Sequence, residues 1–159
     1  MKKSKAIQEL ELLAFEDKRQ RMPEIPVDWL AAPKFKDNSA NGLTQCIIYY
    51  IKLIGGQAER ISTTGRVINN TKTFTNVIGQ TRQIGSAKYI PGTSTKGSAD
   101  ISATLKGRSV KIEVKFGSDR QSEHQKEYQK AIEAAGGVYL IARTFEQIKG
   151  EIDNLKNTK

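Results

Sequence analysis

Apolar positions recur at helical spacing through residues 4–20, where Ile7, Leu10, Leu13 and Ala14 stand between Lys, Glu and Asp. The pattern predicts an amphipathic helix that ends before Met22-Pro23. Residues 21–40 hold Pro23, Pro26 and Pro33, all but one of the prolines, around Trp29-Leu30. They read as an extended segment pinned by a few apolar anchors, with Trp29 packed among them. Residues 41–55 are apolar most of the way round (Leu43, Cys46, Ile47, Ile48, Tyr50, Ile51, Leu53, Ile54), which predicts a buried helix stopped by Gly55-Gly56. Gln57 to Ser62 reads as a strand, with Ala58 and Arg60 facing opposite to Glu59 and Ile61.

Residues 97–115 read as two short strands joined by a turn at Lys106-Gly107. Alternation sends Val110, Ile112 and Val114 to one face of the second strand and Lys111, Glu113 and Lys115 to the other. On the first strand Ala99, Ile101, Ala103 and Leu105 oppose Asp100, Ser102 and Thr104. A two-residue turn sets Ile101 across from Ile112, and Asp100 across from Glu113. Ser122-Glu-His-Gln125 then has the form of a capping box. It opens a helix to about Ala135, with Tyr128, Ile132 and Ala135 inward and Gln125 placed toward the sheet near Lys115. After Gly136-Gly137, Val138–Ala142 is a strongly apolar strand, and residues 144–156 form a helix through Phe145, Ile148, Ile152 and Leu155. From residue 41 the order is helix, strand, strand, strand, helix, strand, helix. That order is an α/β class, with residues 1–40 as an N-terminal helix and Pro-containing extension to a 41–159 domain.

Residues 63–97 show the weakest pattern: rich in Gly, Thr and Asn, with alternation only in Thr71–Ile78, enough for a short strand or hairpin arm. Arg66, Lys72, Arg82, Lys88 and Lys96 are the charged residues there, and no acid lies between Glu59 and Asp100. Long connections of this kind are functional or disordered. With Phe74 and Tyr89 interleaved, this one fits a nucleic-acid backbone; a flexible surface loop is the alternative.

Charge sharpens that picture. The formal net charge is +9, and residues 41–97 carry 7 Lys and Arg against the single acid Glu59. A concentrated basic excess favours a polyanion. Just beyond it stand Asp100 and Glu113. Two carboxylates facing each other across a strand pair repel, and a shared hard cation, such as Mg²⁺ with oxygen ligands and several waters, relieves them. Lys115, on the same face, can orient a water or offset charge on a phosphate. These residue types suit metal-assisted attack on a phosphodiester. An ordinary amphipathic hairpin with a solvated polar face is the competing reading.

Other chemistries are poorly supplied. One cysteine, Cys46, and one histidine, His124, do not make a zinc site or an internal disulfide. Cys46, among isoleucines, reads as buried. No apolar run approaches the ~18 residues of a membrane span. The basic start is followed by Gln8, Glu9 and Glu11, which interrupt the apolar stretch of a secretory signal. The expectation is an intracellular, cytoplasmic protein with no membrane partner.

Gly97-Ser-Ala-Asp100, Ile112-Glu-Val-Lys115, Ser122-x-x-Gln125 and Gly136-Gly137 before a strand, in this element order, resemble the VRR-NUC family of the PD-(D/E)XK nuclease fold over roughly residues 41–145. The resemblance implies a restriction-endonuclease-like core of αβββαβ order, a mixed sheet flanked by helices. It also implies a Mg²⁺- or Mn²⁺-dependent DNA nuclease of phage or bacterial repair, recombination or replication. On that basis Asp100 and Glu113 are metal ligands, with the Val114 carbonyl a third. Lys115 positions the attacking water or stabilises the phosphate, and Gln125 supports the site or contacts a phosphate. The family often has a glutamate at the start of its first helix. Here that region reads Asn41-Gly-Leu-Thr-Gln45, so Asn41 through water, or Glu59, takes its place. The Val-Arg-Arg string that names the family is absent, and Ala99-Asp100 stands for its proline-aspartate. The substrate is DNA, branched or single-stranded among the choices, and a four-way-junction cutter would be a symmetric homodimer. A non-cleaving nucleic-acid-binding module on the same fold is the second reading, and a small structural or partner-binding protein whose charge is incidental is the third.

Overall fold

The computed structural model describes residues 3–61, 65–90 and 95–157. In chain order they form α1 (Lys5–Arg21), a 3-10 turn (Val27–Trp29), α2 (Ala40–Leu53), β1 (Gln57–Arg60), β2 (Arg66–Asn69), β3 (Lys72–Thr75), β4 (Thr81–Ile84), β5 (Ala87–Ile90), β6 (Ile101–Leu105), β7 (Arg108–Val114), α3 (Glu123–Ala134), β8 (Val138–Ala142) and α4 (Phe145–Asn157). They fall in two compact units, Met1–Ile61 with Gly97–Lys159, and Ser62–Lys96. Among the described residues no helix is long and apolar enough to cross a membrane.

The larger unit is mixed α/β. Its sheet has the order β1-β6-β7-β8. β1, β6 and β7 run antiparallel in turn, and β8 lies parallel to β7. A parallel neighbour needs a crossover, and α3 supplies it. Lys106 and Gly107 both take positive φ, 51° and 76°, the type I′ geometry that matches strand twist. This turn sets the register Ile101↔Ile112 through Leu105↔Arg108. One sheet face presents Ile101, Ala103, Leu105, Val110, Ile112 and Val114 to a core shared with α1, α2 and α4.

That core corrects two expectations. Residues of α1 are buried at Ala6, Ile7, Leu10 and Ala14, whereas Leu13, at the edge of the stripe, is exposed. Trp29 is 81% exposed, and Leu30 alone is the anchor there. Neighbouring side chains diverge by about 120° in a turn of three residues, so burying Leu30 turns Trp29 outward. Cys46 is buried, as its isoleucine neighbours suggest.

The smaller unit departs further from its sequence pattern. Where one short arm was expected between residues 71 and 78, two ladders form, β2 with β5 and β3 with β4, both antiparallel. Their strands are almost wholly exposed. The β3–β4 loop is held by Asn76, whose Oδ1 accepts from the Ile78 and Gln80 N–H groups at 3.2 and 2.8 Å.

Candidate active site

The second face of the large sheet carries polar residues, and α3, which packs on β8 there, has no fully buried residue of its own. β7 nevertheless buries charge on this face. Glu113 is 2% and Lys115 5% exposed. The expected alternative of a solvated polar face does not hold here. A buried charge is tolerated only when paired and hydrogen-bonded, and both conditions are met. Lys115 Nζ lies 3.0 Å from Glu113 Oε1, 3.0 Å from Gln125 Oε1 and 3.4 Å from Asp119 Oδ2. Its three donors thus have three acceptors.

Gln125 works at both ends. Its Oε1 also accepts from the Ser122 N–H at 2.9 Å, while Ser122 Oγ accepts from the Gln125 N–H, completing the capping box. Its Nε2 donates to Glu113 Oε1. The cap and the contact with the sheet, alternatives by sequence, are made by one side chain at once. Gly97 makes the close approach possible: its φ is +80°, and a Cβ there would meet the His124 carbonyl oxygen at 2.4 Å.

Asp100 sits immediately before β6, half-buried, and its Oδ2 accepts from the Val114 N–H at 2.9 Å. The bond ties the Asp100 carboxylate to β7, the strand that carries Glu113. Burial pushes the Glu113 carboxyl above the usual carboxylate range. The Asp100 charge pushes the same way, against the opposing pull of Lys115. Tyr139 on β8 donates to Glu113 Oε2 at 3.4 Å. Burial, and then the Glu113 charge, raises the phenol as well.

The donor set is two carboxylates on adjacent chain segments with backbone carbonyl groups beside them, all hard oxygen. Among the described residues no group of three or more His, Cys, Asp and Glu is assembled to hold a metal by side chains alone. Such a set fits a cation that keeps much of its water, as Mg²⁺ does. Asp100, Glu113 and the Val114 carbonyl are the groups that would hold it.

The other expected residues are placed as follows. Asn41 lies in the first turn of α2, and its Oδ1 accepts from Arg60 Nη1 at 2.8 Å. Glu59 is exposed on β1 opposite Ser102, on the polar face of the sheet. Arg66, Lys72, Arg82 and Lys88 lie on β2 to β5, and Lys96 near the end of the smaller unit. Sequence reasoning missed Tyr139 and Asp119. Tyr139 looked like one more apolar position of its strand; the parallel register Lys111↔Tyr139 sends it to the polar face. Asp119 had no signal beyond a position four residues after Lys115. The chain matches no protein-family model and no curated protein.

Proposed function

We infer that this chain is a Mg²⁺- or Mn²⁺-dependent DNA phosphodiesterase on a restriction-endonuclease-like core of the PD-(D/E)XK type, VRR-NUC in pattern. The observation that carries the reading is the buried Glu113–Lys115 pair, clamped by Gln125 and set beside Asp100. Burying two charges is costly, and an amphipathic hairpin has no need of it. A bound divalent cation supplies charge to a phosphate oxygen and lowers the pKa of its water. Glu113 and Asp100 bring negative charge to hold that cation. Lys115, held between Glu113, Gln125 and Asp119, orients the attacking water or meets the charge that grows on the phosphate. Gln125 and Tyr139 fix the Glu113 carboxylate in place. Water adds to phosphorus, the bond to one ester oxygen breaks, and that oxygen leaves with a proton.

The test is cleavage of duplex, single-stranded, flap and four-way-junction DNA with Mg²⁺ or Mn²⁺ in bacterial-cytoplasm-like buffer. Glu113→Ala or Lys115→Ala should abolish it, and undiminished cutting in those variants or in EDTA sinks the assignment. A specific observation favours a second reading. Lys115 lies 3.0 Å from Glu113 and offsets its charge, which suits a module that binds nucleic acid and does not cut. Salt-dependent binding with no metal-dependent cleavage on any of these substrates selects it.

A further inference from the structure

The smaller unit has an order of its own. One register runs from Arg66↔Ile90 through Thr75↔Thr81, and the Asn70 N–H donates to the Ser86 carbonyl at 3.2 Å between the two ladders. Side chains alternate within each ladder, and the shared register keeps the same parity across the bend at Gly85. Every cation of its strands falls on one face: Arg66, Lys72, Arg82 and Lys88. Each stands directly across from an apolar residue, Ile90, Ile84, Phe74 and Ile68 in turn. The other face of these strands carries no charge.

A self-contained hairpin gains nothing from this arrangement. Like charges are kept apart within the ribbon, yet all point the same way without an acid beside them. Such a face suits a polyanion. The cations form two pairs, Arg66 with Lys88 and Lys72 with Arg82, six residues apart. At ~3.4 Å per residue that is at most about 20 Å, which leaves room to set one pair on each side of a major groove about 12 Å wide. The tip adds a second feature. Val77 is 105% and Ile78 73% exposed, and the Asn76 side chain fixes the loop that presents them. Apolar residues at the end of a basic arm are the means by which proteins prise apart a base step.

We propose that the Arg66–Ile90 ribbon is a duplex-DNA-binding arm whose four-cation face takes phosphates and whose tip, Val77 and Ile78, presses into a base step. DNA as the partner rests on the function proposed above; the surface and the mode of contact rest on the ribbon alone.

The test uses the full chain in EDTA, so that binding is read without cleavage. Fluorescence anisotropy with a DNA duplex of roughly two helical turns should show affinity falling about 100-fold between about 50 and 200 mM NaCl, as four phosphate contacts require. Lys72→Gln with Arg82→Gln should remove about half of the salt slope, and glutamine at all four positions nearly all of it. Circular dichroism and unchanged thermal unfolding confirm that the variants fold. Val77→Ser with Ile78→Ser should keep the slope and lose the fluorescence rise of a 2-aminopurine placed in the duplex. An unchanged slope in the four-glutamine variant overturns the arm. An undiminished 2-aminopurine signal in the serine variant overturns the wedge. Equal binding to an RNA duplex of the same sequence, or binding to anionic phosphatidylglycerol vesicles in place of DNA, overturns the choice of partner. Loss of cleavage in Glu113→Ala with binding intact leaves the arm standing, so the two readings fail separately.

Discussion

Gln125 accepts from the Lys115 ammonium at 3.0 Å and gives its amide N–H to Glu113, so the residue that caps α3 also clamps the buried ion pair. Removing it should cost twice. Gln125→Ala leaves the Ser122 N–H and part of the Glu113–Lys115 pair without a partner, a loss of about 1–3 kcal/mol. Urea denaturation reads the stability. Cleavage assays should fall with it, because Glu113 loses the group that orients it. Gln125→Glu keeps an acceptor for the cap but faces Glu113 with a like charge, and should protect stability better than activity.

A metal effect should appear without any substrate. Mg²⁺ that binds only the folded state at a hundred times its dissociation constant stabilises by about 2.7 kcal/mol. Thermal unfolding with and without Mg²⁺ should therefore shift in the natural protein. Asp100→Asn should abolish the shift while the protein still melts cooperatively. A shift of equal size in that variant places the metal elsewhere.

Two glycines of positive φ should behave differently. At Gly107 a Cβ meets open space, so Gly107→Ala carries only the left-handed penalty of about 1 kcal/mol, with cleavage unchanged. At Gly97 the added methyl also strikes the α3 backbone at His124. Gly97→Ala should cost more than Gly107→Ala in urea and should lower activity by displacing the helix that carries Gln125.

Alkaline pH should weaken the fold through Cys46 and Tyr50. Burial pushes the Cys46 thiol from 9.0 to about 11, and burial with the Asp153 bond pushes Tyr50 from 10.0 to about 12. Both folded values are raised. The unfolded chain therefore loses these protons first, and stability that is intact below pH 9 declines as pH rises through 11. The melting temperature should fall over that window. Cys46→Ala, though less stable at neutral pH because of its cavity, should show a shallower decline between pH 9 and 11.

Much of the large unit could be read from the chain because burial enforces its pattern. Ile101 and Ile112 meet as the Lys106-Gly107 turn requires, since a slip by one residue would turn Ile112 toward α3. The polar face was harder. Glu113 and Lys115 look like solvated positions in an alternating strand, and it is Gln125 of α3, Tyr139 of β8 and Asp119 that close over them. The ribbon was hardest. Its strands have no buried face, so the contrast of apolar and polar positions marks only Thr71 to Ile78 and fades before Ile90. The backbone ladder sets its register. Trp29 failed for the opposite reason: size suggested burial, but the neighbouring Leu30 took the anchoring place.

The ribbon is inserted between β1 and β6, which are themselves antiparallel neighbours. The Ile61 N–H meets the Asp100 carbonyl at 2.8 Å, so the chain leaves and re-enters the large sheet at nearly the same point. A short turn could close that gap. The segment between then has the form of a cassette, the kind of surface insertion whose length and sequence are most readily changed. Asp100 stands at its return point, immediately before β6. A lineage could in this way exchange one surface in a single recombination event and leave the β1-β6-β7-β8 sheet, with Asp100, Glu113 and Lys115 on it, as it is.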